Sequence, residues 1–429
     1  MSTHPIPVAP PAAPAAAPSR AAAAVPPAGA QPLSPLAAAL STEQPPHDPV
    51  AFELGWDHAR HGLAPPAALA DGCAPLRHGW LAGQAVFGER CLRATPAARQ
   101  WLQLRLRAWR RGRSVELFQV TPAYLRQIEV THCPVTRAEL GGPVPGSEPS
   151  VDRVRDAAGY AAGNLALLSR RANAAKGALD FAAAMQVVRR LEDRPLREVE
   201  GLGAAAWRRI AVLCSFVEPL PHEAACTLPL QVLPPKRLHL MNPVQALQAQ
   251  LSLQLMRPGW AERSRRFEAL LAGAPLRRAY QAFFHALLPR VLEAAPPAVR
   301  QARDAADRRR LRWAIEDAWQ HPAVLLRWTA FARQLDAPGC EALLARLDAL
   351  GLGAQRTARL TEAQATEGWQ LDSAGFDPRL ADRPRPGLAR LRRRGRLEGG
   401  DAGAGPAAPR TTPWPAASVE ASGQVCLPM

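Results

Sequence analysis

Apolar residues recur at helical spacing along most of this chain. Between Pro49 and Arg93, Gly55-Trp56 with Ala59 and Gly62, then Gly79-Trp80 with Gly83 and Gly88, predict a helical pair. Trp101, Leu102, Leu106 and Trp109 mark the apolar stripe of an amphipathic helix, and 178–193 reads as another. From 242 to 351 the pattern is helical throughout, with Pro or Gly breaks that predict a bundle. One segment departs from this pattern, 150–177. There Asp152 closes a short apolar/polar alternation, Gly159-Tyr160 marks a turn, and Leu165, Leu168, Ala172, Ala175 and Leu179 predict a helix beginning near Leu165.

The expected fold class is therefore mainly α with one small α+β module. The expected domains are a disordered Pro/Ala-rich arm (1–47), a helical region carrying the module (48–190, core 132–177), a Pro-rich connector (191–241), a helical domain (242–376) and a disordered basic tail (377–429). The arm holds 12 Pro and 15 Ala with scarcely a charge, a composition that builds no core and lacks the basic start and apolar run of a signal peptide. No run of 18 apolar residues occurs, which predicts no membrane span. Seven cysteines without paired spacing argue against a disulfide framework and fit a reducing cytoplasm.

With 53 Lys and Arg against 37 Asp and Glu, the net charge of +16 suggests a polyanionic partner. Arg99, Arg105, Arg107, Arg110, Arg111 and Arg113 form an acid-free cluster interleaved with Trp101 and Trp109. Its arginines are either a phosphate-binding surface or the wet side of a buried helix, and one helix can be both. Only two of the basic residues are lysine, Lys176 and Lys236, and Lys176 falls in the exceptional segment. On a helix Ser169, Asn173 and Lys176 would share a polar face, with Arg170 beside them, able to meet phosphate. A carboxylate at Asp152 and an amide oxygen at Asn173 are hard donors suited to Mg²⁺ or Mn²⁺.

The order Asp152-Arg153, Gly159-Tyr160, Gly163-Asn164 and Asn173-x-x-Lys176 resembles the HNH family of ββα-metal (His-Me finger) endonucleases over residues 132–177, roughly a tenth of the chain. In that family an Asp-His pair on the first strand supplies a metal ligand and the general base. A middle Asn braces the loop, and a final His or Asn completes the metal site. The resemblance implies Asp152 and Asn173 as ligands of Mg²⁺ or Mn²⁺, Asn164 as the brace, and Arg153, Arg170 and Lys176, with Arg105, Arg110 and Arg111, as nucleic-acid contacts. Arg153 stands where the base is expected and stays protonated at neutral pH. His132 is the leading substitute and Asp156 the second. Where many members hold a structural zinc with four cysteines, this chain has Cys133, Thr136, Ser169 and Ala172, one ligand of four, so no structural zinc is expected.

The implied function is nucleic-acid binding, DNA in preference to RNA, with metal-dependent phosphodiester cleavage impaired by the missing base. Two alternatives stand beside it. One is a catalytically inactive HNH-fold DNA- or RNA-binding module. The other is an RNA-associated regulator, because residues 49–95, with Cys73-Ala74-Pro75 between two Gly-Trp pairs, also resemble ribosome modulation factor. His58 and His61 in that region lack a matching carboxylate or thiol and are expected as surface residues. No membrane partner is expected.

Overall fold

The computed structural model describes residues 48–193, 197–295, 304–353 and 358–373 together with Gly375. The expectations for the arm and the tail fall outside them, apart from Gly375. The chain begins with α1 (Pro49–Arg60), whose N-cap Asp48 accepts from the Ala51 N–H at 3.0 Å, followed by a short turn α2 (Ala67–Ala70) and then α3 (Ala74–Phe87). Helices α1 and α3 touch backbone to backbone: a Cβ at Gly55 would overlap the Leu76 carbonyl, and one at Gly79 the Phe52 carbonyl. His58 is buried inside this pair, not on its surface, with Nδ1 2.7 Å from the Leu54 carbonyl.

Next comes α4 (Pro96–Arg110), capped by Thr95 and started by Pro96, with Trp101, Leu102, Leu106 and Trp109 buried. A helix α5 (Pro122–Ile128) leads into the small sheet, β1 (Pro149–Arg153) antiparallel to β2 (Leu165–Ser169) with Asp152 opposite Ala166. The predicted helix at Leu165 is thus a strand, and helix α6 (Arg170–Lys176) starts only at Arg170. Ser169 caps it, accepting from the Ala172 N–H at 3.3 Å, and is buried instead of facing solvent. The reason is that β2 is buried along its whole length: Leu165 packs into a small cluster with Trp101 and Tyr124, while Ala166 and Leu168 pack into the main core.

The expected connector, 191–241, is a correction. After α7 (Phe181–Asp193), a hairpin β3 (Glu198–Val199) and β4 (Leu202–Gly203) turns through Glu200 and Gly201, both at positive φ. It leads into α8 (Ala204–Ser215), whose Trp207, Ile210, Leu213 and Cys214 are buried, and then α9 (His222–Cys226). Leu230, Val232 and Leu233 are also fully buried, so this stretch is core and not a linker. The bundle comprises α10 (Pro243–Gln254), α11 (Trp260–Glu268), α12 (Ala274–Ala294), α13 (Ala305–Ala318), α14 (Pro322–Ala332) and α15 (Ala337–Ala349). It closes with α16 (Glu362–Trp369). One hydrophobic cluster runs from Cys133 through β2 and α8 to Trp369 and so joins the later part of the expected 48–190 domain to the 242–376 bundle, while Trp101, Tyr124 and Leu165 belong to a second cluster and Leu54, Leu76 and Trp109 to a third.

Candidate nucleic-acid-binding cleft

The loop between β1 and β2 is fixed from several directions. Asn164, fully buried, accepts the Arg155 N–H at 2.9 Å and donates to the carbonyls of Arg155 (3.1 Å) and Gly159 (3.2 Å). Tyr124 accepts the Gly163 N–H at 2.9 Å, and the Trp369 indole donates to the Ala162 carbonyl at 3.0 Å. Ser114 donates its N–H to Gly375 at 2.9 Å on the same side.

Beside this loop lies a cleft of about 640 Å³ formed by β1, α6 and the C-terminal end of α4. Asp152, Arg153, Asn173, Arg170 and Arg111 all line it, joined by Arg107, Ser150 and Tyr160. Arg107, Arg111 and Arg170 are exposed, and among the described residues their guanidiniums make no hydrogen bond or ion pair. Asn173 donates to the Ser150 hydroxyl at 2.8 Å, a bond that leaves its Oδ1 uncommitted. Ser150 was legible as the residue two before Asp152, on the same face of a strand. Tyr160 was legible only as part of a turn signal.

Four expected contacts are corrected. Lys176 is fully buried and cannot meet phosphate. Its Nζ lies 3.2 Å from Asp152 Oδ2 and 3.3 Å from Oδ1, and donates to the Arg153 carbonyl at 2.9 Å. On α6 it falls about 60° round the wheel from Asn173, enough to put it on the inner side with Ala172 and Ala175. Arg105 is also buried, over the Trp101 ring and paired with Asp57 and Glu53. Arg110 is half-buried and does not line the cleft. Arg153 does line it, but its guanidinium folds back to the carbonyls of Asp156 (3.0 Å) and Ala158 (3.1 Å) and to the Asp156 carboxylate, over the Tyr160 ring. Three of its five donors are spent on the loop.

Neither substitute base is in place. His132 is absent from the cleft lining; its ring packs edge-on to Trp313 at 5.8 Å, and burial, with Arg309 adding to it, lowers its pKa. Asp156 lines the cleft with both carboxylate oxygens held, one by Arg153 and the other by Arg113 at 3.3 Å. Cys133 is fully buried, and the Thr136 N–H points at its sulfur from 3.5 Å.

Burial raises the Asp152 carboxyl to about 6, against the opposing pull of Lys176; burial pulls the Lys176 ammonium down, but the surrounding groups, Asp152 first among them, hold it above its ordinary value. At neutral pH the two form an ion pair at the cleft floor. A divalent ion fits this donor set poorly. Lys176 Nζ lies within 3.3 Å of both Asp152 oxygens, although Oδ2 accepts no hydrogen bond among the described residues, so a dication 4 Å from the ammonium would set about 8 kcal/mol of repulsion at an effective dielectric of about 20 against its attraction to the carboxylate. Among the described residues, no group of three or more His, Cys, Asp or Glu is placed to hold a metal ion. No helix among them is long and apolar enough to cross a membrane.

No protein-family model matches the chain, and neither a curated protein nor a solved structure matches it. The family resemblance therefore rests on the motif residues themselves.

Proposed function

We propose that the chain is a nucleic-acid-binding protein that grips the phosphodiester backbone in the cleft of an HNH-like ββα module, without a catalytic metal ion. The observation that carries this reading is the convergence of Arg107, Arg111 and Arg170, exposed and uncommitted, on one cleft whose floor carboxylate is already neutralised by Lys176. Guanidinium forks suit phosphate oxygens, and three of them lining one cleft, two from the end of α4 and one from α6, suit the phosphates of a strand. DNA is preferred to RNA on the strength of the resemblance. The endonuclease reading retains one observation of its own, that Asp152 and Asn173 line the same cleft.

Binding measured across a salt series tests the proposal. Neutralising phosphates releases condensed counterions, so log K falls by about 0.9 per contact per decade of salt on duplex DNA. Substituting Arg107, Arg111 and Arg170 together by alanine should reduce the slope by about 2.7 on that basis. A slope unchanged in the triple variant would place the binding surface elsewhere.

A further inference from the structure

Phe118 is the most exposed large apolar side chain among the described residues, at 92 %, and its neighbour Leu117 is 41 % exposed. A ring left in water on a loose loop would carry no argument, but this turn is anchored on both sides. Val115 pairs with Tyr160, and the Glu116 N–H donates to the Tyr160 carbonyl at 3.0 Å. The Gln119 N–H donates to the Glu116 carboxylate at 2.8 Å, which closes the turn. On the far side Val120 is fully buried and its carbonyl accepts the Trp101 indole N–H at 2.7 Å. The ring is held outward by a braced turn, at little cost in entropy when something lands on it.

Its place matters as much as its exposure. Arg111 and Tyr160 both line the arginine cleft, and Tyr160 is the residue the turn is bonded to. Two residues of extended chain span at most ~7 Å, so Phe118 lies within about that reach of the Glu116–Tyr160 bond, next to a residue of the cleft lining but not itself part of it. The one carboxylate in the turn, on Glu116, is turned inward, with Oε2 buried and Oε1 accepting the Gln119 N–H.

We propose that Phe118 is a stacking platform for an unpaired base of the strand whose phosphates lie in the cleft, so that the preferred ligand carries a single-stranded segment. This rests on the proposed function. An unpaired base offers its π-face freely, whereas a wedge into a duplex must first unstack a base step, which costs a few kcal/mol.

The test compares the full chain, Phe118→Ala and Phe118→Trp on a single-stranded DNA oligonucleotide and on a duplex of equal length, across one common salt series. The alanine variant should lose roughly 5- to 150-fold on the single strand, the range for removing one base–aromatic stack, and less than about twofold on the duplex. Tryptophan should retain single-strand affinity, and the salt slope should not change, because no charge is removed. Equal loss on both ligands, or none on the single strand, would overturn the platform. Failure of the wild type to bind either ligand would instead overturn the cleft reading beneath it, and the platform with it.

Discussion

Lys176 buries an ammonium against Asp152, and a buried ion pair is stable only while both partners remain. Lys176→Met should cost about 3–5 kcal/mol in urea unfolding, because it strands a buried carboxylate, whereas Asp152→Leu combined with Lys176→Met should recover most of that. The single variant should also be strongly pH-dependent. With the ammonium beside it the Asp152 carboxyl already stands at about 6, and without it the folded-state value rises further above the unfolded value of about 4. The variant is then most stable below about pH 4 and loses stability as the pH rises through 6 and beyond. A Lys176→Met loss that is small, or flat with pH, would show that the pair is not buried as described. At this scale the sequence marked Asp152, Asn164, Asn173 and Lys176 as a set. Whether Lys176 turned in or out was not legible, since Lys176 and Asn173 straddle the edge between the inner and outer faces of α6.

Among the elements, β2 explains why the helix was expected too early. Its two faces pack into different clusters, so Leu165-Ala166-Leu167-Leu168 shows no alternation, and an apolar run of that length reads equally as strand or helix. Strand β1, with Val151 packed on one face and Asp152 buried on the other, was readable because its sequence still mixes apolar with polar residues. Between them the loop depends on Asn164, the only side chain bonded to both Arg155 and Gly159 among the described residues. Asn164→Ala should destabilise the fold by about 1–3 kcal/mol for each buried group left unsatisfied, and amide exchange at Arg155 should accelerate selectively. Unchanged protection at Arg155 would mean that the loop is held without Asn164.

For the whole molecule, the prolines between 219 and 235 suggested a boundary, but a proline says only how the backbone bends and not whether its neighbours are buried. Val187, Val188, Ile210 and Leu213 pack in the same cluster as the bundle residues Leu247, Trp319 and Trp328. A fragment of residues 48–190 should therefore show no cooperative unfolding transition on its own, and a sharp transition would restore the two-domain division. The cleft itself was only half legible, because β1 and α6 lie in one motif but the α4 wall comes from some forty to seventy residues earlier in the chain and is brought there only by folding. The central claim is that the cleft holds phosphates with Lys176, and not a divalent ion, beside Asp152. Its most direct test is one titration of labelled single-stranded and duplex DNA with the full chain, in chelator and in Mn²⁺ at matched ionic strength, following affinity and strand integrity together. The predicted result is equal affinity in both buffers with the DNA intact; Mn²⁺-stimulated cleavage that disappears in Asp152→Ala would contradict it.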